Sequence, residues 1–511
     1  MTDLFFLAMQ RTLRSGATFG AWDGSTITVS DPRFDLAALV RQSVEDERDE
    51  CSDEDNDYDL SEPSDTDWLT DVDEDASIHL PSAASASGAS STPPRDRKRH
   101  NRQRSKAVRK RQRMNARSEA DANDTEPTVR LSARHKHVAA AEPITSGISL
   151  QNLRVTKTGY TAMRDTKPGK KKHRAYRLRD LVGPESQYKF DLYEWDGRRV
   201  LISALTVPLV DNQDRVFAVL AGRPDKAPGW DRAMQELADA IEASSSRLSL
   251  TPGQRRHRRG PFPATAHGHS FGGGQREPLN IAEKPANVAL FEALLRHPAM
   301  KRVSGFANGV AACWGPRLIQ FYRKYGRGVR AKYPHLKRNF RHSAWAALTI
   351  NYGPRTVTLP HRDFSNVPWG WCPITALGHF NPRRGGHLVL WELRLVIEFP
   401  PGSTIIVPSS VLTHSNVAIG RNERRFSITQ YTAGGLIRWL DQGCRRKDVF
   451  WASLSRKQRL QEEARAKTRY REGLELYSMM DELRRLAASK DAADAYDTDL
   501  SELTPLEDED E

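Results

Sequence analysis

The sequence predicts an α+β chain: a jelly-roll or sandwich-like β barrel, braced by the helices that precede it and flanked by disordered charged tails. Three observations carry this. Only 38% of the 511 residues are hydrophobic and the mean hydropathy is −0.65, too little apolar material for an ordered core throughout. Charge is segregated: residues 41–80 hold seventeen Asp and Glu against two Arg, and residues 95–117 carry about +11. Near residue 346 the apolar spacing changes from helical to short β-rich runs broken by Gly, Pro and Asn, the pattern of a barrel built from many short strands.

In chain order, residues 1–147 read as a disordered region, acidic and then basic. The acidic block passes through the linker PSAASASGASSTPP into the basic run from Arg95 to Arg117. Such segments cannot bury enough apolar surface to offset ordering costs of roughly 1–2 kcal/mol per residue. The basic run reads as a nuclear-localisation or phosphate-contacting arm, so a nuclear location is expected. A solvated run that faces only the acidic block is the plainer alternative. Residues 148–250 read as a small α+β accessory region. Strands are expected in KFDLYEWDGRRVLISALTVPLVD and RVFAVLAGRP, with turns at Asp196–Gly197 and Asp211–Asn212. A helix follows whose apolar face is Met234, Leu237, Ala238 and Ile241.

Residues 251–450 are expected to hold the barrel and its supporting helices. They open with RRHRRGPFPATAHGHSFGGGQREP, Gly-rich but lacking a Walker Lys-Ser/Thr, so a flexible or substrate-covering loop is expected rather than a nucleotide site. Helices follow over 285–345, and then come AALTINYG, RTVTLPH, ITALGHF, HLVLWELRLVIEFP, STIIVPS, VLTHSNVA and RRFSITQYT. Residues 451–489 read as a charged helix, a surface or oligomerising element. Residues 490–511 read as an acidic disordered tail with a net charge of −9.

Several function classes drop out. No apolar run approaches the roughly 18 residues of a membrane span, and the N-terminus lacks a signal-peptide core, so no membrane partner is expected. The four cysteines, Cys51, Cys313, Cys372 and Cys444, lie far apart without a CxxC pair, which fits a reducing compartment. With the three charged blocks set aside, the remainder carries about +26, against +13 for the whole chain. That surplus makes nucleic acid the leading partner class. What the acidic tails bind is not readable.

The chemistry sits in the β-rich block. His361 and Asp363 are two apart in an extended segment, so both side chains point to one face and can reach one ion. They form the only His-x-Asp in the chain. A further ligand must come from a distant strand, and His414, at the end of another apolar run, supplies it. Two His and one carboxylate leave three adjacent positions open, as a non-haem Fe(II) oxygenase requires; zinc could occupy the same trio. Arg425 and Ser427 decide between them. Eleven residues beyond His414, they share a face and offer a guanidinium fork plus a hydroxyl to a carboxylate. A zinc hydrolase has no need of that anchor. The expected cofactors are therefore Fe(II), 2-oxoglutarate as cosubstrate, and O₂.

The stretches FAVLAGRPD, HGHSFGGGQREP, NYGPRTVTLPHRDFSNVPWGWCPITALG, RGGHLVLWELRLVIEFPPGSTIIVPSSVLTHSN and RRFSITQYTAGGLIRW span residues from about 205 to 445. They resemble the TET/JBP class of 2-oxoglutarate/Fe(II)-dependent dioxygenases, specifically its fungal, transposon-associated branch. The resemblance implies a double-stranded β-helix fold, of the jelly-roll or cupin-like kind, for the oxygenase core. It implies oxidation of the methyl group of 5-methylpyrimidine bases, 5-methylcytosine foremost, in methylated duplex DNA with the base flipped out. It places iron on His361, Asp363 and His414, 2-oxoglutarate on Arg425 and Ser427, and a flipped base against Asn366. The residues between Asp363 and Asn366 are Phe364 and Ser365, and Asn366 on its own reads equally as a turn cap. Base flipping costs a few kcal/mol, which phosphate contacts from Arg255, Arg256, Arg258 and Arg259 would offset.

Trp369, Trp371 and Cys372 read as packing before pocket lining, and Arg355 as structural. His379 and His387 carry no ligand spacing, and Tyr431 is expected to pack beside the Arg425 strand. A dioxygenase acting on protein or RNA would share the same iron site. A catalytically idle, DNA-associated mobile-element protein is the third reading, against which the intact His361, Asp363, His414 and Arg425 argue. If the acidic block shields the basic remainder from DNA, deleting residues 41–80 raises affinity for duplex DNA at low salt; unchanged affinity in a titration would remove that idea.

Overall fold

The computed structural model describes residues 11–12, 18–19, 131–139, 141–164, 174–194, 206–224, 227 and 229–488. Residues 1–51 and 129–511 form one unit, and residues 52–128 form a second that lies outside the described residues. Near the N-terminus Arg11–Thr12 pairs antiparallel with Thr18–Phe19. Otherwise the tails expected to be disordered, the basic run Arg95–Arg117 and the turn at Asp196–Gly197 also lie outside. The helix α1 (Leu131–Val138) and the strand β1 (Ile144–Thr145) fall inside the region expected to be disordered. His137 and Val138 are fully buried and Ala141 nearly so. The short run LSARHKHV has no strong helical signal of its own; its burial against later helices supplies the order, a tertiary effect that propensity cannot anticipate.

Three strands come from the region 148–250: β2 (Asp191–Tyr193), β3 (Val207–Val210) and β4 (Val216–Gly222). Helix α2 (Trp230–Ser245) follows, then β5 (Ala264–Ser270) and β6 (Leu279–Asn280). Next are α3 (Val288–Arg296), α4 (Pro298–Trp314) and α5 (Pro316–Lys332). Pro at the first position of α4 and of α5 suits a helix start, where the missing N–H has no partner to lose. The β-rich block supplies β7 (Ala347–Asn351), β8 (Cys372–His379), β9 (Leu388–Leu390), β10 (Leu395–Ile397), β11 (Thr404–Val407), β12 (His414–Asn416) and β13 (Arg424–Tyr431). Helices α6 (Gly434–Asp441), α7 (Lys447–Ser453), α8 (Arg456–Leu474) and α9 (Met480–Ala487) close the unit.

Two sheets result. The larger has the order β1-β3-β4-β11-β8-β13-β7-β5-β6, and the smaller β12-β9-β10-β2. From β7 to β13 the chain passes back and forth between them, which is the double-stranded β-helix, a jelly roll. RTVTLPH is not a regular strand. It joins the small sheet through isolated contacts, Thr358 O accepting from Asn416 N at 3.0 Å and His361 bridging His414. Pro360 has no N–H to give a ladder, so pairing there stays sparse.

Each sheet buries its outer face differently. All seven residues of β4 are buried, as expected of a strand covered on both sides. Trp230, Met234, Leu237, Ala238 and Ile241 of α2 lie on one helical face against the large sheet, with Trp230 Nε1 donating to Gly402 O at 3.0 Å. The small sheet is closed by residues 174–193. Tyr176, Tyr188 and Phe190 surround Trp391 edge-on, at ring separations of 5.1, 5.5 and 5.4 Å.

Two further expectations change. ATAHGHS, expected within a flexible loop, is the strand β5, paired along its length with β7. Its polar residues hid it: Thr265 and His267 are buried, and they are satisfied by each other at 2.9 Å and by Glu283 at 2.9 Å from His267 Nδ1. The charged helix α8 starts at a capping box, Ser455 with Gln458, and its second half folds back on its own chain. Tyr470 donates to Leu150 O at 2.9 Å, and Arg469 stacks over Tyr160 at 4.0 Å. Gly473 lies against Trp369 so closely that a methyl there would meet the ring at 2.2 Å. Gly473→Ala is expected to cost about 1–3 kcal/mol, read as a lower midpoint in urea unfolding.

Candidate metal centre and anion pocket

Period-two geometry aims the site. In the small sheet Leu388 and Leu390 face the main core, and their register partners Asn416 and His414 share that face. The intervening Ser415 pairs with Val389 and accepts from Trp391 Nε1 at 3.0 Å on the outer side. His414 therefore points into the barrel. His361 is locked opposite by two reciprocal backbone bonds, 3.1 and 2.9 Å, and the two rings lie 4.2 Å apart. Asp363 follows on a turn whose backbone is held by Ser409 O and closed by Asn366 N donating to Asp363 O, each at 2.9 Å.

The three side chains converge. Asp363 Oδ1 lies 3.7 Å from His361 Nε2, and Oδ2 lies 3.7 Å from His414 Nε2. One ligand atom from each falls within a 4.8 Å cluster. Both imidazoles have their other nitrogen engaged: His361 Nδ1 on Leu359 O at 2.7 Å and His414 Nδ1 on Leu412 O at 3.0 Å. Donation to a carbonyl fixes Nδ1 as the protonated nitrogen and leaves each Nε2 lone pair for an ion. Burial first, and then His414, pushes His361 well below the usual imidazole range, which keeps it in the neutral, ligating form. Burial works to raise the Asp363 carboxyl, but His361, His414, Arg258 and Arg259 outweigh it and hold it below the ordinary range. Two imidazoles and one carboxylate on one side fit Fe(II) with three positions open.

The second half of the site is a buried cation. Arg425, Ser427, Thr429 and Tyr431 share one face of β13 by their two-residue spacing. Gly378 and Ala376 of β8 stand opposite Arg425 and Ser427, and a methyl at Gly378 would meet the backbone of Arg424 at 2.3 Å. Gly378 has a φ of +113°, a conformation open to glycine but strained for other residues. Arg425 is wholly buried, its guanidinium 5.9 Å from the rings of both Phe380 and Phe399. One nitrogen, Nη1, donates to Thr356 O at 3.2 Å, while Nε and Nη2 have no partner. Burial pulls its pKa down to about 10, so it remains a cation at neutral pH. Among the described residues no carboxylate lies within ion-pair distance of it. Ser427 Oγ accepts from Asn351 Nδ2 at 3.0 Å, which leaves its own hydrogen for an anion. Orphaned N–H groups on a buried cation are the donor set a carboxylate of 2-oxoglutarate would satisfy.

The remaining candidates are distributed around this centre. Asn366 is buried, donating from Nδ2 to Cys372 Sγ at 3.6 Å, while its backbone O accepts from Ser410 at 2.9 Å. Trp371 Nε1 donates to Phe217 O at 2.6 Å, and Trp369 packs on Phe321, so both tryptophans are core residues. The Cys372 thiol is buried and pushed up to about 12. Arg355 donates to Ile419 O at 3.1 Å, a structural contact. His387 is buried and pushed down to about 4 by burial, and His379 is exposed on β8. Tyr431, expected beside the Arg425 strand, is the last residue of that strand, and burial above all raises its hydroxyl.

Arg258, expected on phosphates, leans on the metal centre. Its Nη2 lies 3.4 Å from Asp363 Oδ1, its Nη1 donates to Arg362 O at 2.7 Å, and it covers the Phe364 ring at 5.1 Å. Arg164 lies 5.2 Å from the same ring. Phe364, Asn351 and Thr356 carried no sequence signal for the site. Phe364 arrives by following Asp363, whereas pairing with β13 brings Asn351 and Thr356.

Comparison with known proteins adds partial likenesses. No protein-family model matches the sequence, and no curated protein is detectably similar to it. Among solved structures, NgTET1 in complex with 5mC DNA is 12% identical, with a TM-score of 0.34 over 49% of this chain and 85% of that one. An oxidoreductase of the 2OG-Fe(II) oxygenase family from Burkholderia pseudomallei is 18% identical, with a TM-score of 0.22 over 39% of this chain and 78% of that one. The fold is defined by the strand order itself.

A cation buried without a partner costs stability until an anion joins it. Arg425→Met is therefore expected to leave the ligand-free thermal midpoint unchanged or raise it. The same change weakens 2-oxoglutarate binding about 100-fold in calorimetry, since charge-assisted bonds contribute about 1.5–3 kcal/mol each.

Proposed function

We propose that the protein is an Fe(II)- and 2-oxoglutarate-dependent dioxygenase that oxidises the methyl group of 5-methylpyrimidine bases in DNA, 5-methylcytosine first. The observation that carries the iron and cosubstrate half is Arg425, a buried guanidinium with two unpartnered N–H groups in the barrel that holds His361, Asp363 and His414. A hydrolytic zinc site would leave that charge without purpose. The DNA half is supported by the TET/JBP-like motifs and by the +26 surplus outside the charged blocks.

Bound Fe(II), with 2-oxoglutarate as reductant, would supply O₂ activation and hydrogen abstraction from a methyl carbon. The protein's part is geometry. His361 and His414 present Nε2, each held by a backbone carbonyl two residues earlier. Asp363 completes one face and leaves the opposite side open to cosubstrate and substrate. Arg425 and Ser427 would grip the far carboxylate. The apolar surroundings of Phe380 and Phe399 strengthen that ion pair by excluding water.

A methyl group inside a duplex cannot reach this centre, so the base must be flipped out. Asn366, one turn beyond Asp363, is the residue we assign to base contact, and Phe364 with its flanking Arg164 and Arg258 offers a stacking and charged rim. The basic run Arg95–Arg117 supports a nuclear location for such an enzyme.

Nucleoside mass spectrometry tests the proposal. Methylated duplex DNA incubated with the protein, Fe(II), 2-oxoglutarate and ascorbate should yield oxidised methylcytosine, and Asp363→Ala should yield none. Succinate formed in an Asp363-dependent way without any oxidised base would keep the iron chemistry and move the substrate to RNA or protein. Neither product from iron-loaded protein would sink the enzyme reading.

A further inference from the structure

A second feature, away from the metal centre, bears on how the substrate is held. A cleft of about 640 Å³ lies between residues 151–158, α7 and α8. Lys157, Lys447, Arg459, Lys467 and Arg471 line it, with Glu463 its one carboxylate. The sequence of α8 explains the charge: positions 459, 463, 467 and 471 recur every four residues and fall on one face of the helix. Glu463 lies 3.5 Å from Arg459, so the lining keeps a clear cationic excess. Trp451 also lines the cleft, with the Arg459 guanidinium 5.6 Å from its ring.

One hairpin joins this cleft to the metal centre. Val155 lines the cleft and pairs with Ala162; Ala162 N donates to Phe364 O at 2.9 Å, and Phe364 follows Asp363. Paired strands lie about 4.8 Å apart, so the cleft wall and the rim of the site are neighbours on one small element. Arg164, at the end of that element, covers Phe364.

We propose that the cleft holds the sugar–phosphate backbone of the nucleic acid whose base enters the metal site. This rests on the nucleic-acid reading of the proposed function. Cations alone would suit an acidic polypeptide equally. The hairpin link favours nucleic acid, because it sets these cations beside the rim of the site whose proposed substrate is a base in DNA.

The test uses the full chain and a labelled duplex of about two helical turns with one central 5-methylcytosine. Fluorescence anisotropy from about 50 to 200 mM salt gives the slope of log affinity against log salt. Lys467→Gln with Arg471→Gln, both exposed positions, should shrink that slope by about 1.8 and weaken binding about tenfold. Arg232→Gln with Lys301→Gln removes the same charge from exposed positions on α2 and α4 and should leave the slope unchanged. Thermal midpoints check that both variants fold. An unchanged slope in the cleft variant, with the wild type binding DNA, overturns the cleft and leaves the proposed function standing. A wild type that binds neither duplex nor single strand brings down the nucleic-acid reading, and the cleft proposal with it. Poly-glutamate binding that is lost in the cleft variant while DNA binding persists overturns the proposal in favour of an acidic polypeptide.

Discussion

The guanidinium of Arg425 is sealed inside the barrel with a single backbone partner and, among the described residues, no carboxylate within ion-pair distance. Holding a cation there is costly, and folding alone gains nothing from it. Much of the local architecture accommodates it. Gly378 opposite lets the two strand backbones close up, Phe380 and Phe399 wall off water, and Thr356 turns its carbonyl inward. The pairing of β13 with β7 and β8 sets Ser427 and Asn351 beside it.

The metal centre uses a different economy. His361 and His414 are joined through their own backbones across an isolated bridge, so the main chain sets the separation of their rings. Each spare imidazole nitrogen is fixed by a carbonyl two residues earlier. Three side chains from two segments therefore reach one point without a further network of polar side chains. Arg258 adds charge beside Asp363 and draws the loop after Arg255 against the mouth of the barrel.

Segments outside β7 to β13 complete the barrel. Residues 174–193 cover the small sheet with a ring of aromatics, and β3 and β4 extend the large one. The C-terminal helices pack through Gly473 on Trp369 and through Tyr470 on the residue 150 segment. The same helices form the basic cleft, so one packing decision both stabilises the unit and places cations near the rim.

Local covalent geometry determined a good deal without help. Two-residue spacing in an extended chain put His361 beside Asp363 and Arg425 beside Ser427 whatever their surroundings, and the switch to short apolar runs announced a barrel. Helical spacing likewise marked the buried face of α2. Tertiary structure alone decided the rest. That His414 meets His361, 53 residues away, depends on sheet register, which local spacing does not encode. That β5 is a strand depends on buried histidine and threonine finding hydrogen-bond partners far along the chain. Order at α1, the packing of α8 and the approach of Arg258 to Asp363 all come from surfaces that exist only once the sheets have closed. Period and composition act over a few residues, whereas burial and register act between segments that only folding brings together.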